Sequence, residues 1–196
     1  MQDVIRAEFG KSLAMLQAMA ADAALQDQVQ QVVKLCATAL RARNKILFAG
    51  NGGSAADAQH WAGELVGRFH FNRPGLPAIA LTTDTSILTA CGNDYGYDYV
   101  FARQLEALAF EGDIFFAIST SGNSKNILRA VATAREKGLK VIGFTGQSGG
   151  ELPGLCDFCF RPPSDETPKI QEGHEFLGHL LCGLIEREMF GGPRAA

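Results

Sequence analysis

From Lys45 onward the sequence alternates short apolar runs with longer helical patterns, and that alternation limits the chain to a small set of folds. The strand-type runs fall at 45–49, 77–81, 113–119, 140–145 and 157–161. Helical patterns cover about 54–68, 85–108, 123–137 and 168–190, with interruptions expected at Gly92 and Gly96. The runs are apolar almost throughout, which predicts strands covered on both faces. Strands and helices taken in turn predict an α/β fold, a five-stranded parallel sheet flanked by helices. In such sheets ligands sit beyond the C-terminal ends of the strands.

Residues 1–42 stand outside this alternation. Val4, Phe9, Leu13, Leu16 and Met19 recur at helical spacing, and a softer region between Asp22 and Asp27 divides two expected helices. No strand precedes them to cross over from. The segment either covers one sheet face or packs against a partner subunit, and the partner is the preferred reading. One structural domain is expected, with these helices as an extension of the unit at 43–196.

Bulk properties exclude several classes. The length, 196 residues, suits one domain with a proper core. A net charge of −3 gives no electrostatic reason to expect nucleic acid or an anionic membrane. Asp3 and Glu8 lie in the first turns, so no signal peptide is expected. No run reaches the roughly 18 apolar residues of a membrane span. The five cysteines are odd in number and form no scaffold pattern, which suits a reducing cytoplasm.

Two turns carry the chemistry. Gly50-Asn51-Gly52-Gly53-Ser54-Ala55 follows the first strand and formally fits a dinucleotide fingerprint, yet no acidic residue lies about 20 positions on to grip a ribose. Glycines there permit positive φ and close approach of a ligand. The following helix carries His60 and Glu64, four apart and about 40° in azimuth, so both can meet one ion or reacting group. From these residues alone, an ordinary helix-surface pair is the simpler reading. After the third strand comes Ser119-Thr120-Ser121-Gly122-Asn123-Ser124, again opening a helix. One capping residue suffices for a helix, so six consecutive small polar residues favour a phosphate site.

These two turns closely resemble the SIS (sugar isomerase) domain. The likeness continues through 72–80, Gly92-Asn93-Asp94-Tyr95-Gly96, and Ile170-Gln171-Glu172 with His179, and so runs through nearly the whole chain. Together they resemble the phosphoheptose isomerase branch of that family. The resemblance implies a flavodoxin-like or Rossmann-like sheet and a homotetramer packed through its N-terminal helices. It also implies zinc-assisted conversion of sedoheptulose 7-phosphate to D-glycero-D-manno-heptose 7-phosphate, a step towards lipopolysaccharide and other heptose-containing glycans.

The resemblance assigns one zinc ion (Zn2+) per subunit to His60, Glu64, Gln171 and His179, with Glu64 and His179 as the acid/base pair. Asn51, Gly52, Gly53, Glu64, Asn93, Asp94 and Gln171 would contact the sugar, and Ser119, Thr120, Ser121 and Ser124 its phosphate. On spacing alone, Gln171, Glu175 and His179 step along one face of the last helix. A zinc-bound carboxylate or imidazole is a poor base, so one group would act through an uncoordinated atom or be displaced by substrate. Some relatives carry Asp where this chain has Pro168, and any help to proton transfer from that position is missing. Two rival readings share the fold: an adaptor that binds a replication-initiator protein, and a sugar-phosphate-sensing regulatory domain. His70, His174, Trp61 and the Cys156-x-x-Cys159 pair are read as structural.

Overall fold

The structure, a computed structural model, describes residues 1–191. Two helices come first, α1 (Gln2–Ala21) and α2 (Ala23–Arg41). Asp22 divides them, and its carboxylate caps α2 by accepting from the Leu25 amide at 3.1 Å. The sheet then assembles from β1 (Ile46–Ala49), β2 (Ala78–Ala80), β3 (Ile114–Ile118), β4 (Lys140–Phe144) and β5 (Phe158–Phe160). All neighbours are parallel and the order is β2-β1-β3-β4-β5. The chain therefore winds outward from β1 to β2, then returns across β1 to build β3, β4 and β5 on its other side. Between β1 and β3 lies the crevice where such sheets place ligands.

The remaining helices are α3 (Gly53–Val66), α4 (Thr85–Tyr95), α5 (Ala102–Leu108), α6 (Lys125–Glu136) and α7 (Thr167–Phe190). Successive strand residues face opposite ways, so the sheet carries two cores. Ile46, Phe48 and Phe116 pack with α1, α2, α3 and α7, whereas Leu47, Phe115 and Ala117 pack with α4, α5 and α6. The expected α/β architecture and parallel sheet are present.

Two local expectations differ. The interruption expected at Gly92 is absent: α4 runs through it to Tyr95, because a lone glycine costs a helix only about 1 kcal/mol. Gly96, at φ +88°, ends the helix. On α1, the helical apolar series divides. Met19 is buried, but Val4, Phe9 and Leu13 are 62%, 75% and 57% exposed and cover no part of this chain's core.

One buried ion pair fixes how α3 and α7 meet. Glu186 on α7 accepts from the Phe69 and His70 amides, each at 2.8 Å, and from Arg73 Nε at 3.0 Å. Arg73 also donates to the Glu64 carbonyl at the end of α3. Every strong donor and acceptor of the pair is engaged, so it locks the α3–β2 connection against α7.

Candidate active site

The first turn follows from the end of β1. Gly52 takes φ +56°, a conformation that L side chains rarely adopt, and a Cβ at Gly50 would run into the Ser54 backbone. Asn51 and Asn126 face each other with reciprocal amide hydrogen bonds of 3.0 and 2.8 Å, tying the turn to α6. Tyr97 donates its hydroxyl to Asn51 Oδ1 at 3.2 Å. Gln171, on α7, lies directly over Gly53, where any larger residue would displace its amide.

The second turn follows β3, the neighbour of β1. Ser119 Oγ lies 2.9 Å from Ser124 Oγ and 3.5 Å from Ser121 Oγ. Gly122 holds φ +68° with the Gly149 carbonyl packed against it, so no side chain fits there. Ser124 is the N-cap of α6 yet makes no side-chain capping bond. Its hydroxyl turns to Ser119 instead, and the N–H groups that open the helix keep the positive dipole end directed at the turn. The over-furnished turn is thus not simply a helix cap. It is a cluster of hydroxyls in front of a helix N-terminus, an arrangement suited to a phosphate.

A third group of residues joins α3 to α7. His60 Nε2 and His179 Nε2 are 2.7 Å apart. Glu64 Oε1 lies 3.5 Å from His60 Nε2, and the ligand atoms of His60, Glu64 and His179 all fall within 4.8 Å of one another. Glu175 Oε1 sits 3.2 Å from His60 Nε2 and 3.1 Å from His179 Nε2, while its Oε2 accepts from Trp61 Nε1 at 2.9 Å. Two donors on one tetrahedral zinc are about 3.3 Å apart at ordinary Zn–N and Zn–O lengths. The separations here bracket that value, and a mixed N/O donor set suits zinc. The residues fit such an ion.

The structure thus brings together His60, Glu64 and His179 in one cluster, Asn51, Gly52 and Gly53 beside Gln171 in a second, and Ser119, Ser121 and Ser124 with Thr120 in a third. Asn93 and Asp94 stand apart on the last turn of α4. They are exposed, and Asn93 Nδ2 donates to Asp94 Oδ1 at 2.8 Å. Among the described residues, no hydrogen bond joins either to the other clusters. His174 is fully buried against the Thr145 carbonyl, and Trp61 packs in the core.

Sequence reasoning missed two carboxylates. Glu175 was visible only as one step in the stride from Gln171 to His179. Asp57, one turn before His60, has its Oδ2 buried with no partner among the described residues. Burial, with the nearby Glu175 carboxylate, pushes its carboxyl up to about 6. Nothing in its spacing distinguishes it from a solvated helix residue.

Comparison with known proteins agrees with this geometry. The family described as SIS domain matches residues 9–146. The chain is 53% identical over 190 residues to a phosphoheptose isomerase of Aneurinibacillus thermoaerophilus, covering 97% of this chain and 96% of that protein. It is 58% identical over 174 residues to one from Burkholderia pseudomallei, covering 89% and 88%. The solved structure of a phosphoheptose isomerase from Francisella tularensis superposes with a TM-score of 0.91 at 41% identity, over 95% of this chain and 98% of that one. Likeness of this depth, continuous through both turns and the last helix, means that the chain belongs to the SIS domain family and, within it, to the phosphoheptose isomerases.

Proposed function

We propose that this protein interconverts sedoheptulose 7-phosphate and D-glycero-D-manno-heptose 7-phosphate, an aldose–ketose isomerisation through an enediol or enediolate. The observation that carries this reading is a histidine–carboxylate cluster and a hydroxyl-rich turn, held on one sheet in a chain of this family.

Ser119, Thr120, Ser121 and Ser124, with the first N–H groups of α6, hold the phosphate. Asn51, Gly52, Gly53, Asn93, Asp94 and Gln171 contact the sugar. Glu64 and His179 move the protons: one takes the proton from the carbon beside the carbonyl and returns it to the adjacent carbon, and the other relays a proton between the two oxygens. Oε1 of Glu64 lies 3.5 Å from His60 Nε2, and the carboxylate would act as a base through whichever oxygen is not held by the ion. His60, Glu64 and His179 would hold a zinc ion, with Gln171 as the fourth donor that the family resemblance supplies. Bound there, zinc would polarise the sugar carbonyl as a Lewis acid.

The exposed apolar face of α1 supports a homotetramer packed through residues 1–42. We read the reaction as cytoplasmic and as standing ahead of heptose-containing glycans such as lipopolysaccharide. Turnover of sedoheptulose 7-phosphate, followed by NMR of the heptose product, tests the proposal. Activity should fall on chelation and return with zinc. Zinc-replete protein that leaves this substrate unchanged would overturn the reading and favour the adaptor.

A further inference from the structure

We infer that Asn126 and Tyr97 are positioning residues for the sugar. Together they fix the Asn51 side chain so that one amide N–H is left to meet a substrate oxygen. The inference rests on the reading of Asn51 as a sugar contact in the proposed isomerisation, and it identifies the residues that aim it.

The hydrogen bonds of Asn51 can be counted. A carboxamide carries two N–H donors and an oxygen that accepts two bonds. Asn51 Oδ1 accepts from Asn126 Nδ2 at 2.8 Å and from the Tyr97 hydroxyl at 3.2 Å, so both places on the oxygen are taken. Nδ2 donates to Asn126 Oδ1 at 3.0 Å, and its second N–H has no partner among the described residues. Asn51 is only half-buried. It therefore presents a donor and no free acceptor, which suits a carbonyl or hydroxyl oxygen of a sugar.

Asn126 is committed to this task. It is 4% exposed, and both of its side-chain hydrogen bonds run to Asn51. A buried amide is costly unless its partner is kept. Asn126 stands two residues after Ser124, the N-cap of α6, so the helix that faces the phosphate also grips the glycine turn. One rigid element thus sets the distance between the phosphate cradle and the sugar contact.

Tyr97 brings in the end of α4. It lies three residues after Asp94, on the short 3-10 turn Tyr97–Tyr99. Its side chain is 61% exposed, so the bond to Asn51 holds it rather than burial. The same turn is pinned to α6, where the Arg129 guanidinium lies 4.0 Å from the centre of the Tyr99 ring. Arg129 is one turn on from Asn126 and on the same side of the helix. Asn93 and Asp94 are in this way held near the glycine turn, although neither bonds to it.

The competing explanation is a purely structural tie, whose loss would loosen the whole site. Turnover of sedoheptulose 7-phosphate by the zinc-replete protein, with competitive inhibition by inorganic phosphate, separates the two. On the proposed reading inorganic phosphate needs only the serine turn. Tyr97→Phe removes one hydroxyl and should lower kcat/KM about three- to tenfold. Asn126→Ala removes two hydrogen bonds and should lower it at least about tenfold. In both variants the inhibition constant of phosphate should stay within about twofold of the parent, because the serine turn is a separate contact. Since Tyr97 acts through Asn51, adding Tyr97→Phe to Asn51→Ala should lower kcat/KM by less than about twofold further.

An unchanged kcat/KM in either single variant would overturn the inference and leave the isomerase reading intact. Phosphate inhibition that weakens in step with kcat/KM would also overturn it, as would full additivity in the double variant. A parent protein that turns over no sedoheptulose 7-phosphate would overturn both. The single tryptophan, Trp61, reports folding of each variant through its emission. Should Asn126→Ala fail to fold, Tyr97→Phe and the double variant still decide the matter.

Discussion

At the scale of the residue, one fully buried polar side chain outside the site is His174. Its Nε2 lies 3.0 Å from the Thr145 carbonyl, which can only accept, so Nε2 carries the hydrogen. Nδ1 is left buried with no partner among the described residues. Burial lowers the ring's pKa to about 4, against an ordinary value of 6.5. Between those limits the unfolded chain takes up a proton that the folded ring refuses. His174 therefore supports stability fully above pH 6.5 and loses that support as pH falls towards 4, by about 3 kcal/mol in all. With chelator present, His174→Gln should lose about 2 kcal/mol less than the parent between pH 7 and 4.5, read from urea unfolding. Equal losses would show that the ring does not titrate in this window. The sequence offered little warning of such roles. The serine and glycine turns are legible because their chemistry lies in consecutive residues, whereas the parts played by His174, Asp57 and Glu175 depend on what another element lays against them.

At the scale of the element, α7 is shaped by what it lacks. Gly178 sits under the Trp61 indole, and that contact lets α7 approach α3 closely enough for His179 to reach His60. Alanine would gain about 1 kcal/mol of helix propensity at this position, but its methyl would occupy space held by a fully buried ring. Overpacking of that kind costs about 1–3 kcal/mol, or more when the neighbour cannot move. Gly178→Ala should therefore lower stability by at least about 1 kcal/mol despite its better propensity, and shift the emission of Trp61. A gain in stability would mean that the ring yields. Element positions were largely legible, since apolar runs and helical periodicity are local. Gly92 was misread as a break because a glycine's conformation depends on the helix around it. Strand order was not legible from the local pattern, being set by contacts between distant segments; only the resemblance to a flavodoxin-like sheet implied it.

At the scale of the molecule, the exposed apolar face of α1 is the feature that a single chain leaves unexplained. Val4, Ile5, Phe9 and Leu13 cluster on a helix whose other side, through Met15 and Met19, joins the core. A tetramer of 21.0 kDa chains would have a mass of about 84 kDa, four times that value. Light scattering after size exclusion should find this mass, and Phe9→Asp should shift it towards smaller species with the α/β core still folded. A parent protein that elutes as a monomer would remove the N-terminal helices from any packing role. The separation of the cluster's two halves along the chain has a further consequence. His60 and His179 are 119 positions apart, and neither helix alone presents more than an ordinary pair of side chains. During synthesis, a ribosome-bound chain that has released α3 but not α7 has nothing with which to grip an ion. On the proposed zinc reading, loading would follow docking of α7, so occupancy of the cluster would report that the chain has folded through its last helix.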